Sequence, residues 1–136
     1  MSGNDLVRAL EAVNNASPFN RLAGFELVAA EAGTVRLAGA AAADLMNHAG
    51  ALHAGVQCAL LDTASGYAAG TVGGNVVTLQ LTTQFLASAK GDRFEARARV
   101  TKAGKAQIFT EAQLYAWRGS EEVLVASAVA VLAKVG

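Results

Sequence analysis

One carboxylate, Asp62, stands alone in a long uncharged part of the sequence. No other Asp, Glu, Lys or Arg occurs between Asp44 and Lys90, and the residues around Asp62 are mostly apolar or small. Burying a carboxylate is costly unless it is paired, hydrogen-bonded or protonated. Two interpretations are therefore open: a structural acid held by hydrogen bonds, or an acid that acts as a general base or nucleophile.

A second group of polar residues, Asn47, His48 and His53, precedes and begins the helix that carries Asp62. The first backbone N–H groups of a helix lack intrahelical acceptors and can stabilise a developing negative charge. His53 and Asp62 lie nine residues apart, which is half a turn in projection, so they point to opposite sides of the helix. The interpretation that His53 of one copy of the chain pairs with Asp62 of another copy is not excluded by this geometry. The spacing matches no standard metal site, and we expect neither a metal nor another cofactor.

The elements that position these residues follow from the hydrophobic pattern. A helix over 53–71 is apolar on nearly every side, so we expect it, and Asp62 with it, to be buried. A shorter amphipathic helix is expected before it, with Asn4 as N-cap. Six extended segments complete the chain, the last four joined by short turns as an antiparallel meander: 25–30, 34–39, 76–86, 94–102, 107–117 and 123–133. The simplest packing is an α+β fold in which a sheet of about six strands wraps around the long central helix.

The strand after the central helix has a clear alternation. It places Val77, Leu79, Leu81 and Phe85 on one face and Thr78 on the other.

Length and composition limit the class of protein. The 136 residues fit one domain over 1–136, and 11 basic residues balance 11 acidic ones. A neutral chain without a basic cluster argues against nucleic-acid binding. The sequence shows no signal peptide and no apolar stretch long enough for a membrane, so we expect a cytoplasmic protein. Charged residues make up only 16%, against about a quarter in typical domains, which indicates that much surface is buried against other copies.

The segment from Asn47 to Asp62 resembles the signature of hotdog-fold acyl-CoA thioesterases, most closely the type found in phenylacetic-acid degradation. The matching residues are Asn47-His-Ala-Gly-Ala-Leu-His53-Ala-Gly55, followed by Leu61-Asp62. The resemblance continues from Thr78 to Lys90 and through the hairpin Lys102-Ala-Gly-Lys105. The predicted order of strands and helices matches the hotdog fold over nearly the whole chain.

The resemblance implies a role for each matching residue. Asp62 would act as general base towards water, or would attack the thioester itself. The amide of Ala54 would bind the thioester oxygen, while Asn47 would position the water or the thioester. Thr78 would support the nucleophilic water, and His53 would orient the start of the helix.

The resemblance also implies how substrate and subunits are arranged. The substrate would be an acyl-CoA, with Gly55 close to it and Lys90, Lys102 and Lys105 as candidates for the coenzyme A phosphates. The lysines are equally compatible with ordinary solvated turns. The site would lie in a homodimer or a dimer of dimers, where the helix start of one subunit faces Asp62 of the other.

Three departures from the family pattern bear on this interpretation. Ala54 replaces a glycine, which keeps the backbone amide but narrows the channel, and Ser88 replaces a proline. Asp62 and Gly66 stand where the 4-hydroxybenzoyl-CoA type commonly has Glu and Thr, so that subgroup fits less well. We therefore predict an acyl-CoA thioesterase for a small or medium acyl or aryl group. The alternatives are a hotdog hydratase or dehydratase and a non-catalytic acyl-CoA-binding protein.

Overall fold

The structure, a computed structural model, describes residues 2–136. Its helices and strands follow one another in this order: α1 (Gly3–Ala16), α2 (Pro18–Ala23), β1 (Glu26–Glu31), β2 (Thr34–Ala40), a 3-10 turn (Ala43–Leu45), α3 (Ala54–Gly73), β3 (Val76–Phe85), β4 (Arg93–Ala103), β5 (Gln107–Arg118) and β6 (Glu121–Lys134).

The six strands form one antiparallel sheet in the order β1-β2-β4-β5-β6-β3, and α3 packs across one of its faces. Leu60 and Leu61 of α3 are fully buried against that face, together with Phe94 and Leu114 of the sheet. The predicted α+β hotdog architecture is confirmed. The predicted meander of the last four strands is wrong for β3, which pairs with β6 and not with β4. β3, which directly follows α3, therefore lies at one edge of the sheet with one side unpaired.

The N-terminal helices differ from the expectation. α1 begins earlier than predicted, because Ser2 rather than Asn4 is its N-cap and forms a reciprocal capping box with Asp5. Pro18 follows Ser17, the C-cap of α1. It begins a second helix, α2, where its missing N–H costs nothing, and Ser17 caps that helix through the N–H of Asn20.

The prediction that α3 is buried on every side is wrong for one face. Asp62, Thr63, Gly66 and Gly70 are half-buried and lie along a side of the helix that the sheet does not cover. An all-round apolar pattern could not reveal this side, because small residues look the same whether they pack against a neighbour or line a cavity. Asp62 is therefore accessible.

The predicted faces of β3 are also wrong at its beginning. The pairing of β3 with β6 shifts register between Thr78 and Gln80, so Leu79 forms a β-bulge. An inserted residue reverses the alternation before it. Thr78 therefore shares the helix-facing side with Leu81, whereas Val77 and Leu79 are about half exposed, at 48% and 55%.

Candidate active site

The bulge of β3 and the accessible face of α3 bring Thr78 and Asp62 together. The Thr78 hydroxyl donates a hydrogen bond of 2.7 Å to Oδ1 of Asp62. No residue within 2–136 donates to the other carboxylate oxygen, Oδ2. Asp62 thus has one oxygen fixed by its neighbour and one oxygen available to take a proton or to attack a carbonyl carbon.

The start of α3 is organised by His53, the N-cap residue. Its ring Nδ1 accepts the N–H of Gly55 at 2.9 Å. A side chain at Gly55 would meet this ring at 3.0 Å, so glycine is what lets the imidazole lie on the helix end. Between them, the N–H of Ala54 has no acceptor among residues 2–136. This free amide, at the positive end of a 20-residue helix, is a suitable oxyanion donor.

Asn47 shapes the loop that leads into α3. Its side-chain oxygen accepts the N–H groups of Ala49 and Ala51 at 2.9 and 3.1 Å, and its backbone N–H donates to the carbonyl of Ala51 at 2.7 Å. The side-chain amide nitrogen has no acceptor among the described residues. The sequence-based role of Asn47 in positioning water or thioester is therefore compatible with its geometry, since one end holds the loop and the other can donate.

The two halves of this site do not meet within one chain. Asp62 follows Ala54 by eight residues, which is roughly 12 Å along the helix axis. A reacting carbonyl must lie about 3 Å from both the base and the oxyanion donor. One copy of α3 therefore cannot supply both groups to the same thioester.

The three lysines are not brought together either. Lys90 lies near the start of α3, since the preceding residue, Ala89, accepts a hydrogen bond from the N–H of Leu52. Lys102 and Lys105 are at the other end of β4, an 11-residue strand, or roughly 35 Å away along the chain. All three side chains are exposed. A single phosphate group could contact Lys90 or the other two, but not all three in one chain.

Asp62 and Thr78 open into a cavity of about 550 Å³ between the N-terminal helices, α3 and the start of β3. Its wall includes Tyr67 and Asn20, which the sequence interpretation did not place in the site. The Tyr67 hydroxyl donates to Oδ1 of Asn14 at 2.8 Å and accepts from Nδ2 of Asn20 at 3.1 Å. Burial raises the pKa of Tyr67, and the hydrogen bond from Asn20 opposes this only in part. No local pattern could predict these contacts, because Tyr67 is separated in sequence from Asn20 by 47 positions and from Asn14 by 53.

The outer face of the sheet, away from α3, holds a second unpredicted feature. Glu95 has no exposed side-chain area and is surrounded by Arg36, Arg93 and Arg97. Burial by itself would raise the pKa of Glu95, but the hydrogen bond and charge of Arg36, with those of Arg97, outweigh it and hold the pKa below its ordinary value. This cluster lies across the sheet from the cavity and stabilises the fold rather than the site.

Among residues 2–136, no three His, Cys, Asp or Glu side chains are grouped closely enough to hold a metal ion. None of the described helices is both long and apolar enough to span a bilayer.

Comparison with known proteins identifies the family. Residues 49–122 match the model of the thioesterase superfamily. A thioesterase family protein from Silicibacter pomeroyi is 31% identical with a TM-score of 0.92, over 96% of this chain and 99% of that one. The chain therefore belongs to the thioesterase superfamily and is, by class, a thioester hydrolase.

Other solved structures share the fold. The PaaI protein of E. coli, from the phenylacetic acid degradation operon, superposes with a TM-score of 0.89 at 19% identity, over 98% of this chain and 96% of that one. A variant of the phenylacetic acid degradation protein PaaI from Thermus thermophilus is 25% identical with a TM-score of 0.78, over 88% and 100% of the two chains. The curated proteins include no match. The resemblance to a hotdog thioesterase of this type is confirmed.

Proposed function

We propose that the protein hydrolyses acyl-CoA thioesters, with Asp62 as the reacting carboxylate. The observation that carries the proposal is the hydrogen bond from Thr78 to Asp62 at the mouth of a cavity. It fixes one carboxylate oxygen and leaves the other facing open space. Buried structural carboxylates generally have their oxygens hydrogen-bonded, whereas Oδ2 of Asp62 has no donor among residues 2–136.

The chemistry follows from these groups. Oδ2 of Asp62 takes a proton from water, whose oxygen forms a bond to the thioester carbon while negative charge builds on the carbonyl oxygen. The free N–H of Ala54, aided by the side-chain amide of Asn47, stabilises that oxyanion. Collapse of the intermediate breaks the carbon–sulfur bond, and the departing thiolate takes up the proton. Direct attack by Asp62, giving an anhydride that water then hydrolyses, uses the same residues.

The proposal includes a second copy of the chain, because Ala54 and Asp62 are too far apart within one copy. The unpaired edge of β3 is a suitable place for the second copy. It is 10 residues long, carries no charged side chain and exposes Val77 and Leu79, and such an edge invites pairing with another strand. The opposite edge strand, β1, carries Glu26 and Glu31, which disfavour pairing. Two-fold pairing of β3 would bring the α3 start of one copy towards Asp62 of the other, in a homodimer or a dimer of dimers.

Exposed lysines are the candidates for binding the phosphates of coenzyme A. Lys90 is the favoured phosphate contact because it lies beside the start of α3, where the thioester would bind. Lys102 and Lys105 would contribute only from another copy. A cytoplasmic location stays a prediction from the sequence.

The test is thiol release from a panel of acyl- and aryl-CoA substrates by the wild type and by Asp62→Asn. We expect the variant to keep its fold and to lose about 10²–10⁴-fold in kcat/KM. Asp92→Asn, which changes an exposed carboxylate of the β3–β4 connection, is the matched control and should keep full activity. Equal activity of wild type and Asp62→Asn would contradict the assignment.

Two other outcomes would support the alternatives. Tight binding of acyl-CoA without thiol release would indicate a non-catalytic binding protein. Hydration of an unsaturated acyl-CoA without thiol release would indicate a hydratase.

A further inference from the structure

The cavity beside Asp62 has one wall that the sheet does not provide. Leu10 and Val13 of α1 face the uncovered side of α3, where Gly66 and Gly70 line the cavity. The apolar side chain of Val13 is exposed at this wall of the cavity, which Asp62 and Thr78 also line. An apolar ligand in the cavity would cover it.

The glycines of α3 leave room that ordinary residues would fill. A Cβ atom at Gly70 would have no neighbour within 4 Å, and one at Gly66 would meet only Leu132, at an ordinary 3.9 Å. Neither glycine has the positive φ that would require this residue type. Glycine lowers helix stability relative to alanine by about 1 kcal/mol, so neither glycine stabilises α3. The space beside the two glycines is part of the cavity.

The position of this wall is fixed by a closed polar cluster. Asn14 of α1 and Asn20 of α2 are nearly fully buried, at 3% and 8% exposure, and both bond to the Tyr67 hydroxyl of α3. Nδ2 of Asn20 also donates to Oδ1 of Asn14, and Nδ2 of Asn14 donates to the carbonyl of Phe25. Tyr67 thus ties both N-terminal helices to the helix that carries Asp62.

We propose that α1 is the size-determining wall of the acyl pocket and that Tyr67 is the positioning residue that sets its distance from α3. The occupant is the apolar acyl group of the thioester whose carbonyl lies at Asp62. It extends along the cavity from Asp62 towards Gly70, eight residues further along α3 or roughly 12 Å. This inference rests on the proposed thioesterase function and adds the element that selects the substrate.

The first test narrows the pocket. Straight-chain acyl-CoA substrates from acetyl to dodecanoyl are compared for the wild type, Gly70→Leu and the control Val72→Ala, which changes an exposed residue of the same helical turn that does not line the cavity. In Gly70→Leu, kcat/KM should fall about tenfold or more for the longest substrates and much less for acetyl-CoA. Val72→Ala should keep the wild-type profile.

The second test removes the hydrogen bonds through which Tyr67 holds α1 and α2 against α3. Tyr67→Phe removes the shared hydroxyl but keeps the ring, and its preferred chain length should shift towards longer acyl groups, with a larger change in KM than in kcat. A loss that is equal for all chain lengths is what a merely structural role would give. Gly66→Ala serves as a second narrowing variant, and thermal unfolding followed by circular dichroism confirms the fold of each protein.

The outcomes separate this inference from the proposed function. If the wild type hydrolyses acyl-CoA and Asp62→Asn does not, but the narrowing variants lower activity equally for all substrates or not at all, α1 is not the acyl wall although the function stands. If the wild type hydrolyses none of the substrates, the proposed function fails and this inference fails with it.

Discussion

Thr78 and Asp62 are joined by a 2.7 Å hydrogen bond that exists only because β3 contains one extra residue. Without the bulge at Leu79, regular alternation would turn Thr78 to the opposite face of the sheet. Bulges are frequent next to active sites because they redirect a side chain without ending the strand. Here the bulge gives the carboxylate of α3 a fixed partner from the neighbouring strand.

Removing this partner should slow the reaction. In Thr78→Val the side chain keeps its shape but cannot donate, so Asp62 loses a hydrogen bond to a charged group, which contributes about 1.5–3 kcal/mol. We expect a lower kcat with little change in KM, measured by thiol release under saturating substrate. Thr78→Ser should restore most of the activity, because it keeps the hydroxyl. A Thr78→Val enzyme as active as the wild type would show that the hydrogen bond does not serve the reaction.

The free amide at the start of α3 can be removed without disturbing the helix. Ala54 is the first residue of α3, where proline is favoured because its N–H has no intrahelical acceptor. The preceding residue, His53, already has a ψ of 135°, within the range that proline requires of its neighbour.

We therefore expect Ala54→Pro to fold with an unchanged melting temperature and to lose about 10²–10³-fold in kcat. Ala54→Gly, which keeps the N–H, is the matched control and should remain active. Retained activity in Ala54→Pro would remove this amide from the mechanism.

Glu95 should make the stability of the protein depend on pH. Its folded-state pKa lies below the ordinary value of 4.5, so the ionised group stabilises the fold above about pH 4.5. This contribution is lost as the pH falls through the folded-state pKa. Glu95→Gln should therefore lower the free energy of unfolding by about 1.5–3 kcal/mol near neutral pH, with a smaller difference from wild type in acid.

The measurement is thermal or urea unfolding of both proteins between pH 3 and pH 7. Glu111→Gln is the control, since its pair with Arg99 is partly exposed and such pairs contribute roughly 0–1 kcal/mol. A difference between wild type and Glu95→Gln that grew as the pH fell would contradict the sign of this linkage.

Much of the fold and part of the site could be predicted from local sequence. The helix start, with Asn47, His53 and Gly55, is local, and its capping and loop contacts join residues no more than four apart. The alternating strands and the importance of the isolated Asp62 could also be predicted. The spacing of apolar residues and the lack of charged neighbours indicate which segments are buried. A local sequence pattern cannot predict a contact that depends on tertiary structure.

Three features illustrate that limit. The bulge at Leu79 depends on pairing with β6, far along the chain. The cluster of Asn14, Asn20 and Tyr67 forms only when three helices meet. Glu95 follows an alternation typical of a solvated face, yet arginines from its own and a neighbouring strand cover it completely.

The central claim, that each site takes Asp62 from one copy and the α3 start from another, can be tested by mixing two inactive variants. Asp62→Asn and Ala54→Pro are co-expressed with different affinity tags, and mixed oligomers are isolated by two successive purifications. In a two-fold dimer, the mixed species has one site with both changes and one with neither. Thiol release by the mixed oligomers, with neither variant active alone, is the expected result. Mixed oligomers as inactive as the separate variants would show that both groups act within one chain, or that one of them is not needed where we place it.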